Sequence, residues 1–569
     1  MEKARNRVDL AKRVISSGDV PPRVKEFAKG KYFYIKTFGC QANIRDGEIL
    51  AGFLKEAGFT PIEDPRKADV AIINTCAVRE NAEEKVYGEI GTFKINKEKN
   101  PSFILAVCGC MMQEEGVATS LMKTYPFVSL VFGTHNTANI LSMLNEVITS
   151  KKREVDVLSF PGEVCEDLPS LRLSPFEAFV NISYGCDKFC TYCIVPYTRG
   201  RERSRLAKDV IKECQELVNQ GYKQITLLGQ NVNSYGLDLH DGTSFASLLE
   251  EVAKLGIPRL RFLTSYPSQF TDDVIEVMAK YPNIVKWLHL PVQSGSDSCL
   301  KRMGRRYSST QYLDLVKRIR AKMPSIALTT DIIVGFPNET EEEFSDTLKL
   351  AKEVGYSAAF TFIYSPRRGT PAAAIKDNVS DKEKHERFNR LVEVVEESTS
   401  EHSLSMVGKT FTVLVEGPSK KDSAILSGYA ENGKLINFAG PNYLTGCLVP
   451  VKVTESHTYS LLGELVEDPI ISKSKDCAYL LSKDPLLNEY LRLSDALKKD
   501  DVVASLGEEL TKSKKALSLS INDPTHYEEK KKEYRAVLTK IASNPTLHNE
   551  ETLQDEVAEE LTRVRDLIK

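Results

Sequence analysis

Residues 179–200 read FVNISYGCDKFCTYCIVPYTRG. A β-forming apolar run, 179–184, is followed by three cysteines at C-x₃-C-x₂-C spacing: Cys186, Cys190 and Cys193. A loop with this spacing at a strand end turns three thiolates toward one cubane [4Fe–4S] cluster and leaves the fourth iron without a protein ligand. That open iron can chelate the amino and carboxylate groups of S-adenosylmethionine. An electron delivered through the cluster can then cleave the S–C5′ bond and give a 5′-deoxyadenosyl radical. Tyr192, between the last two cysteines, is placed to pack near the adenine. Two plainer readings stay open. One is a zinc knuckle, although structural zinc usually takes four ligands and no neighbouring His or fourth Cys offers itself. The other is three core cysteines without a ligand.

Working outward, the run at 179–184 opens a strand–helix series. Further strands are expected at 224–228, 260–265, 287–291, 327–334 and 359–364, with helical patterns between them at 209–220, 244–254, 272–280, 310–322 and 341–354. Such a series fits a partial (βα)₆ barrel, open on one side, over 172–404. Upstream, residues 31–150 alternate strands (32–36, 70–74, 103–107, 129–132) with helices (43–57, 78–97), the pattern of a doubly wound parallel α/β domain. Residues 1–30 form a leader with no apolar core of the secretory type. A less regular linker with Pro161, Gly162, Pro169 and Pro175 joins the two domains. Residues 405–469 change to short β-runs joined by turns, as in a small five-stranded barrel. Residues 475–569 read as a helical domain: Asp484-Pro485 and Asp523-Pro524 are helix starts, and Leu553, Val557, Leu561, Val564 and Leu567 recur at helical spacing. The fold class is therefore an α/β multidomain chain that ends in a small β-barrel and a helical domain.

Composition narrows the function classes. The 569 residues are 41% hydrophobic and 27% charged, which suits a soluble multidomain protein. No apolar run approaches the ~20 residues of a membrane span, so a cytoplasmic enzyme is expected. A net charge of −3 gives no argument for nucleic acid by itself, and any such partner must be met by local basic patches. Twelve cysteines are too few for a disulfide scaffold in a chain this long, and half of them fall into two groups. The second group is Cys40, Cys76 and Cys110, each just beyond an expected strand. Parallel strands share one carboxyl edge, so these three can meet there and hold another cluster with an open iron. Cys108 is expected to be a small buried strand residue. Scattered core cysteines remain the alternative for this group. Cys165, Cys214, Cys299, Cys447 and Cys477 have no partner spacing and read as packing or surface residues.

Several motifs in order carry a resemblance to a known family: TFGCQAN (37–43), NTCAVRENAEEK (74–85), CGCMMQEE (108–115), GCDKFCTYCIVPYTRGRERSR (185–205), LLGQNVNSY (227–235), HLPVQSGS (289–296), DIIVGFPNETEEEF (331–344) and YSPRRGTPAA (364–373). Over roughly 31–469 the chain resembles the radical-SAM methylthiotransferases, in particular their MiaB-type tRNA branch, and 405–469 resembles the family's RNA-binding TRAM barrel. The resemblance implies two [4Fe–4S] clusters and S-adenosyl-L-methionine as cofactors. Cys186, Cys190 and Cys193 would hold the cluster that cleaves the cofactor. Cys40, Cys76 and Cys110 would hold the auxiliary cluster at which sulfur is supplied. The implied substrate is the anticodon loop of tRNA with N6-isopentenyladenosine at position 37, methylthiolated at C2; a separate electron donor is implied as a partner. Related branches act on threonylcarbamoyl-adenosine-37 or on a ribosomal-protein aspartate. Two residues depart from the branch pattern: Tyr266 stands where His is usual and Asn338 where Gly is usual.

Gln230, Ser265, Gln293 and Asp331 lie at or near expected barrel strands, mostly toward the carboxyl ends, where such folds place active sites. They are candidates for holding the cofactor's ribose, adenine or methionine end; polar capping of strand ends is the plain alternative. His289 reads as a satisfied core histidine. Arg199 and Arg203, in a basic run with Arg201 and Arg205, are candidates for RNA phosphates, against the simple alternative of a solvated face. Arg302, Arg305 and Arg306 form another basic group, and Lys420 and Lys421 a weak one on the small barrel. The tail resembles the YlbF/YmcA-type helical domain and suggests a protein partner or self-association through an apolar helix face. From a different class, a non-catalytic metal- or RNA-binding scaffold acting through that tail would share many of these features.

Overall fold

In the stretches VAIINT (70–75) and ILAVCG (104–109) every residue is buried, as strands covered by helices on both faces require. The computed structural model describes residues 13–14, 20–77, 80–157, 164–466, 469–481, 483–521 and 523–568. The chain divides into two compact units, Met1–Val466 and Glu467–Lys569.

The first layer of the larger unit is a six-stranded sheet: β1 Tyr32–Thr37, β2 Thr60–Pro61, β3 Val70–Thr75, β4 Ile104–Gly109, β5 Leu130–Phe132 and β6 Glu154–Asp156. All pairings are parallel, in the order β2-β1-β3-β4-β5-β6. The winding reverses between β1 and β3, which opens a crevice at the carboxyl ends of those strands. Alternate side chains serve opposite faces: Ile72, Ile104 and Leu130 pack with helices Gln41–Glu56 and Ile140–Ser150, while Ile73, Leu105 and Val131 pack with helices Glu80–Thr92 and Val117–Thr124. Two expectations change. The end of the expected leader is helix Pro22–Ala28, whose Val24 and Ala28 are fully buried at i, i+4 spacing. The sheet also runs past residue 150, because the short polar strand β6 (EVD) carries no apolar signal.

Six parallel strands form the next layer: β7 Glu177–Asn181, β8 Gln224–Leu228, β9 Arg259–Phe262, β10 Trp287–His289, β11 Ala327–Val334 and β12 Ala358–Ile363. They pair as β7-β8-β9 and β10-β11-β12, and the halves meet at one parallel bridge, Leu260 with Ile284. No pairing joins β12 to β7 among the described residues, so the barrel is open there. Val180, Ile225, Leu260, Leu288 and Ile332 face the outer helices in one core; by strand alternation Asn181, Arg261, His289 and Asp331 face the lumen. The run expected at 179–184 splits. Ser183–Tyr184 leaves the sheet and pairs antiparallel with Arg203–Ser204, clasping the base of the cysteine loop.

Helix Asp381–Leu404, started by a capping box between Ser380 and Glu383, leads to the small barrel. Its strands β13 Thr410–Pro418, β14 Ile425–Ala430, β15 Leu435–Ala439, β16 Leu448–Ser456 and β17 Ser460–Leu465 close in the order β13-β14-β15-β17-β16. It docks against the amino ends of the large barrel's strands. Arg259 donates to the Tyr429 carbonyl at 2.7 Å and to the Thr412 carbonyl, and Gly433 meets the Trp287 indole so closely that a Cβ would lie 2.8 Å from it.

Among the described residues the tail unit forms five helices, Pro469–Leu481, Pro485–Leu497, Asp501–Leu519, Pro524–Ala542 and Pro545–Ile568. It begins earlier than expected because Pro469 occupies a first helical position. Asp484 accepts from the Leu487 N–H at 2.8 Å and Asp523 from that of His526 at 3.3 Å, the two expected starts. Val557 is buried, whereas the side chains of Val564 and Leu567 lie outside the described residues. No described helix is long and apolar enough to cross a membrane.

Candidate active site

The loop bearing Cys186, Cys190 and Cys193 is held by its backbone. Gly185 has φ +72° and passes so close to the returning strand that a Cβ would sit 2.1 Å from the Arg201 carbonyl. The Cys186 N–H donates to the Gly200 carbonyl at 3.1 Å, and that of Cys193 to the Cys190 carbonyl at 3.0 Å. Thr191 is pinned from three sides: its N–H donates to Met303 O (2.9 Å), its hydroxyl to Arg302 O (2.8 Å), and its carbonyl accepts from Ala372 N–H (2.9 Å). Burial and the neighbouring Cys190 push the Cys193 thiol up to about 12, and burial likewise raises Cys186. Such thiols stay protonated unless a metal replaces the proton. The Arg305 guanidinium lies 3.7 Å from the Cys190 sulfur and over the rings of Tyr266 and Tyr307, at 4.6 and 5.2 Å.

The second group meets at the crevice between β1, β3 and β4. Cys40 follows β1 and caps helix Gln41–Glu56, Cys76 follows β3, and Cys110 follows β4. Two glycines permit the approach. A Cβ on Gly39 (φ +105°) would fall 2.6 Å from the Cys76 sulfur, and one on Gly109 (φ +102°) 2.3 Å from the Thr75 carbonyl. Asn43, fully buried, ties the loops: its amide donates to Phe38 O at 2.8 Å and Thr75 O at 2.7 Å. Cys110 is pushed up to about 12 by burial, with Arg199 opposing and Cys40 and Cys76 adding to the rise. Cys108 is a buried strand residue in the sheet's core. Among the described residues no three Cys, His, Asp or Glu side chains stand ready around a single metal ion. Three cysteine thiols on converging loops are the donor type that iron–sulfur clusters take.

Around the mouth of the large barrel, three buried polar atoms find no hydrogen-bond partner among the described residues: Ser183 Oγ, Ser265 Oγ and Gln293 Oε1. Gln293 is held at φ +71° by strand-like bonds, its N–H to Asp331 O and its carbonyl from Ile333 N–H, both at 2.9 Å. Unpaired buried polar groups cost free energy, so three at a strand-end rim fit a polar ligand such as S-adenosylmethionine. Gln230 is half-buried just beyond β8. Asp331 lies within β11, 3.4 Å from His289 Nε2, and His289 Nδ1 is 3.1 Å from the Thr329 hydroxyl. Tyr192 packs into the barrel core beside Cys299 and Met303.

Comparison with known proteins agrees with this architecture. Residues 180–351 match the radical SAM superfamily, 32–133 the uncharacterized protein family UPF0004, and 404–466 the TRAM domain. The tRNA-2-methylthio-N(6)-dimethylallyladenosine synthase of Geobacillus kaustophilus (strain HTA426) is 49% identical over 83% of this chain and 89% of its own length. The enzyme of the same name from Bacillus cytotoxicus is 51% identical over 79% of this chain and 89% of its own. The chain belongs to this synthase family. Among solved structures, the radical S-adenosylmethionine methyltransferase TsrM from Kitasatospora setae aligns at TM-score 0.45 and 15% identity, over 60% of this chain and 75% of that one.

As a family member the chain is a radical-SAM enzyme that uses [4Fe–4S] clusters and S-adenosylmethionine. Its arginines differ from expectation. Arg199 and Arg203, expected at RNA phosphates, are 7% and 6% exposed. Arg203 donates to the Arg199 carbonyl at 3.1 Å; Arg205 pairs with Glu166 (2.8 Å) and Glu213 (2.6 Å), and Arg302 with Glu343 (2.7 Å). Guanidiniums withdrawn from water need such partners. Glu166 and Glu343 lie about forty residues from the arginines they pair with, and Glu213 on the following helix, so the arginine run by itself reads as a solvated face. Arg305, expected only as one of a basic group with Arg302 and Arg306, lies beside Cys190, while nothing in the sequence marks Glu202 or Ser183; Glu202 is pushed up to about 7 by burial and accepts a hydrogen bond from Ser234. The two departures from the branch pattern have local explanations. Asn338 sits at φ +63°, where Gly is easiest and Asn is the best-tolerated substitute. Tyr266 accepts the Arg306 N–H at 3.0 Å and stacks edge-on with Tyr307, filling the space beneath Lys188 and Arg305.

Proposed function

We propose that this chain adds a methylthio group to C2 of N6-isopentenyladenosine at position 37 of tRNA. The observation that carries the reading is the adjacency of the cysteine groups: Ile194, next to Cys193, packs with Ala77 and Cys110 in one small apolar cluster. Cys186, Cys190 and Cys193 hold the cluster that binds the cofactor, and Cys40, Cys76 and Cys110 hold the auxiliary one. When bound, these groups supply one-electron chemistry and sulfur, which a C–H bond too weakly acidic for any side-chain base requires. Ser183, Ser265, Gln293 and Gln230 orient the cofactor at the barrel mouth, with Tyr192 bracing the loop and Asp331 fixed by His289 in the lumen. The buried rim keeps water from the reacting atoms. The small barrel engages the anticodon arm, a separate donor delivers electrons in the cytoplasm, and the tail binds a protein partner or a second copy.

Nucleoside mass analysis of tRNA from cells lacking the protein tests this. Isopentenyladenosine should accumulate while its 2-methylthio form disappears, and both should revert on re-expression. An unchanged methylthio level, with no second enzyme of the family in the cell, would overturn the substrate assignment.

A further inference from the structure

Arg199 follows Cys193 by a single helical turn, Val195–Thr198, yet its side chain ends among the residues of the other cysteine group. Its Nε–H points at the Cys110 sulfur, 3.2 Å away. Its Nη2 donates to Asn43 Oδ1 at 2.6 Å and to Asp46 Oδ2 at 2.7 Å. Asn43 in turn donates to the carbonyls just before Cys40 and Cys76, those of Phe38 and Thr75. The guanidinium and one amide thus touch all three cysteine loops of the sheet. The connection is rigid: the Thr134 hydroxyl donates to the Thr198 carbonyl at 2.8 Å, Ile194 is packed against Ala77 and Cys110, and Arg203 holds the Arg199 carbonyl.

We infer that Arg199 is a positioning residue of the auxiliary cluster, supplied by the barrel domain to fix the Cys110 thiolate and to place one positive charge beside it. This rests on Cys110 being an auxiliary-cluster ligand. A hydrogen bond and a cation at a ligating sulfur favour the more negative, reduced cluster and raise its reduction potential. They also hold the ligand in its bonding direction, and loss of such outer contacts typically lowers metal affinity by about 10–100-fold. Asp46 orients the guanidinium and partly offsets its charge, so geometry and charge can be separated by substitution.

The test uses the full chain with Cys186, Cys190 and Cys193 all replaced by Ala, so that the auxiliary cluster is read alone after anaerobic reconstitution. In that background Arg199→Gln should shift the midpoint potential, followed by electron paramagnetic resonance, to a more negative value. It should also release iron to a chelator about tenfold faster or more. Arg199→Lys keeps the charge and loses the fork, so its potential should stay near the parent's while iron release still accelerates. Parent-like potential and release in Arg199→Gln would overturn the inference. So would a lowered unfolding temperature with an unmoved potential, the mark of a merely structural role. If the Gln variant fails to fold, the release rate of the Lys variant decides. A Cys110→Ala chain in the same background reports on the ligand reading separately: full iron retention there would remove Cys110 from the ligand set, whereas iron loss with a silent Arg199→Gln would refute only the role of Arg199.

Discussion

The two cysteine groups are built in opposite ways. Cys186, Cys190 and Cys193 lie in one loop, clasped by a two-residue antiparallel pair and by the Thr191 bonds to Arg302, Met303 and Ala372. Cys40, Cys76 and Cys110 stand on three separate strand ends, brought to one edge by the order of the sheet. The first group is a property of local chain geometry. The second is a property of topology, so it depends on every element that keeps β1, β3 and β4 in register.

The sharpest break of that comparison is chemical. Cys186→Ala should abolish 5′-deoxyadenosine formation from S-adenosylmethionine under reducing conditions. Cys76→Ala should leave that release within a few-fold of the parent while eliminating the methylthio product. Loss of both activities in Cys76→Ala, measured by chromatography of the same reaction, would refute the division of labour.

A smaller but telling effect is expected from Gly109→Ala. The added Cβ meets backbone atoms of Thr75 in a left-handed conformation, so relaxation must come from the sheet itself. About 3 kcal/mol of stability should be lost from the N-terminal layer. The barrel loop, which shares no backbone with it, should keep its iron complement on reconstitution. Equal loss of both iron sets would show the two sites to be one cooperative unit.

How much of this the sequence announced follows the same division. The C-x₃-C-x₂-C loop was visible because its ligands are neighbours in the chain. The strand-end positions of Cys40, Cys76 and Cys110 are legible too, because each follows a short run rich in β-forming residues. What binds the sites was not. Arg199 and Asp46 are distant in sequence, and a run of alternate arginines looks solvated until a second domain lies on it. Helix Pro22–Ala28 and strand β6 escape because their signals are short; Ser265 and Gln293 are legible from their strand-end positions, whereas Ser183 and the lack of a hydrogen-bond partner for all three oxygens among the described residues appear only in the folded barrel.

The smallest expected effect is a pH dependence confined to the topological site. His135 is held down to about 3 by burial and then by Arg203 and Arg199, so it is neutral in the folded chain. A histidine with a depressed folded value contributes stability above its unfolded value near 6.5 and loses it as pH falls. The slope is at most about 1.4 kcal/mol per pH unit for one proton. Urea unfolding of the cluster-free chain between pH 7 and 5 should therefore weaken less in His135→Gln than in the parent. Identical slopes would remove His135 from the account.

Finally, the small barrel is seated on the amino rim of the large one, through Arg259, Trp287 and Gly433, while the loop of Cys186, Cys190 and Cys193 and the orphaned oxygens lie at its carboxyl rim. The two rims are separated by the height of the strands, about 17 Å for the five residues of β8. A ligand that grips both at once must be at least that long. A lone nucleoside fails this gauge and a folded stem-loop satisfies it. On the proposed function, the small barrel and the cysteine-bearing rim therefore meet different parts of one folded RNA.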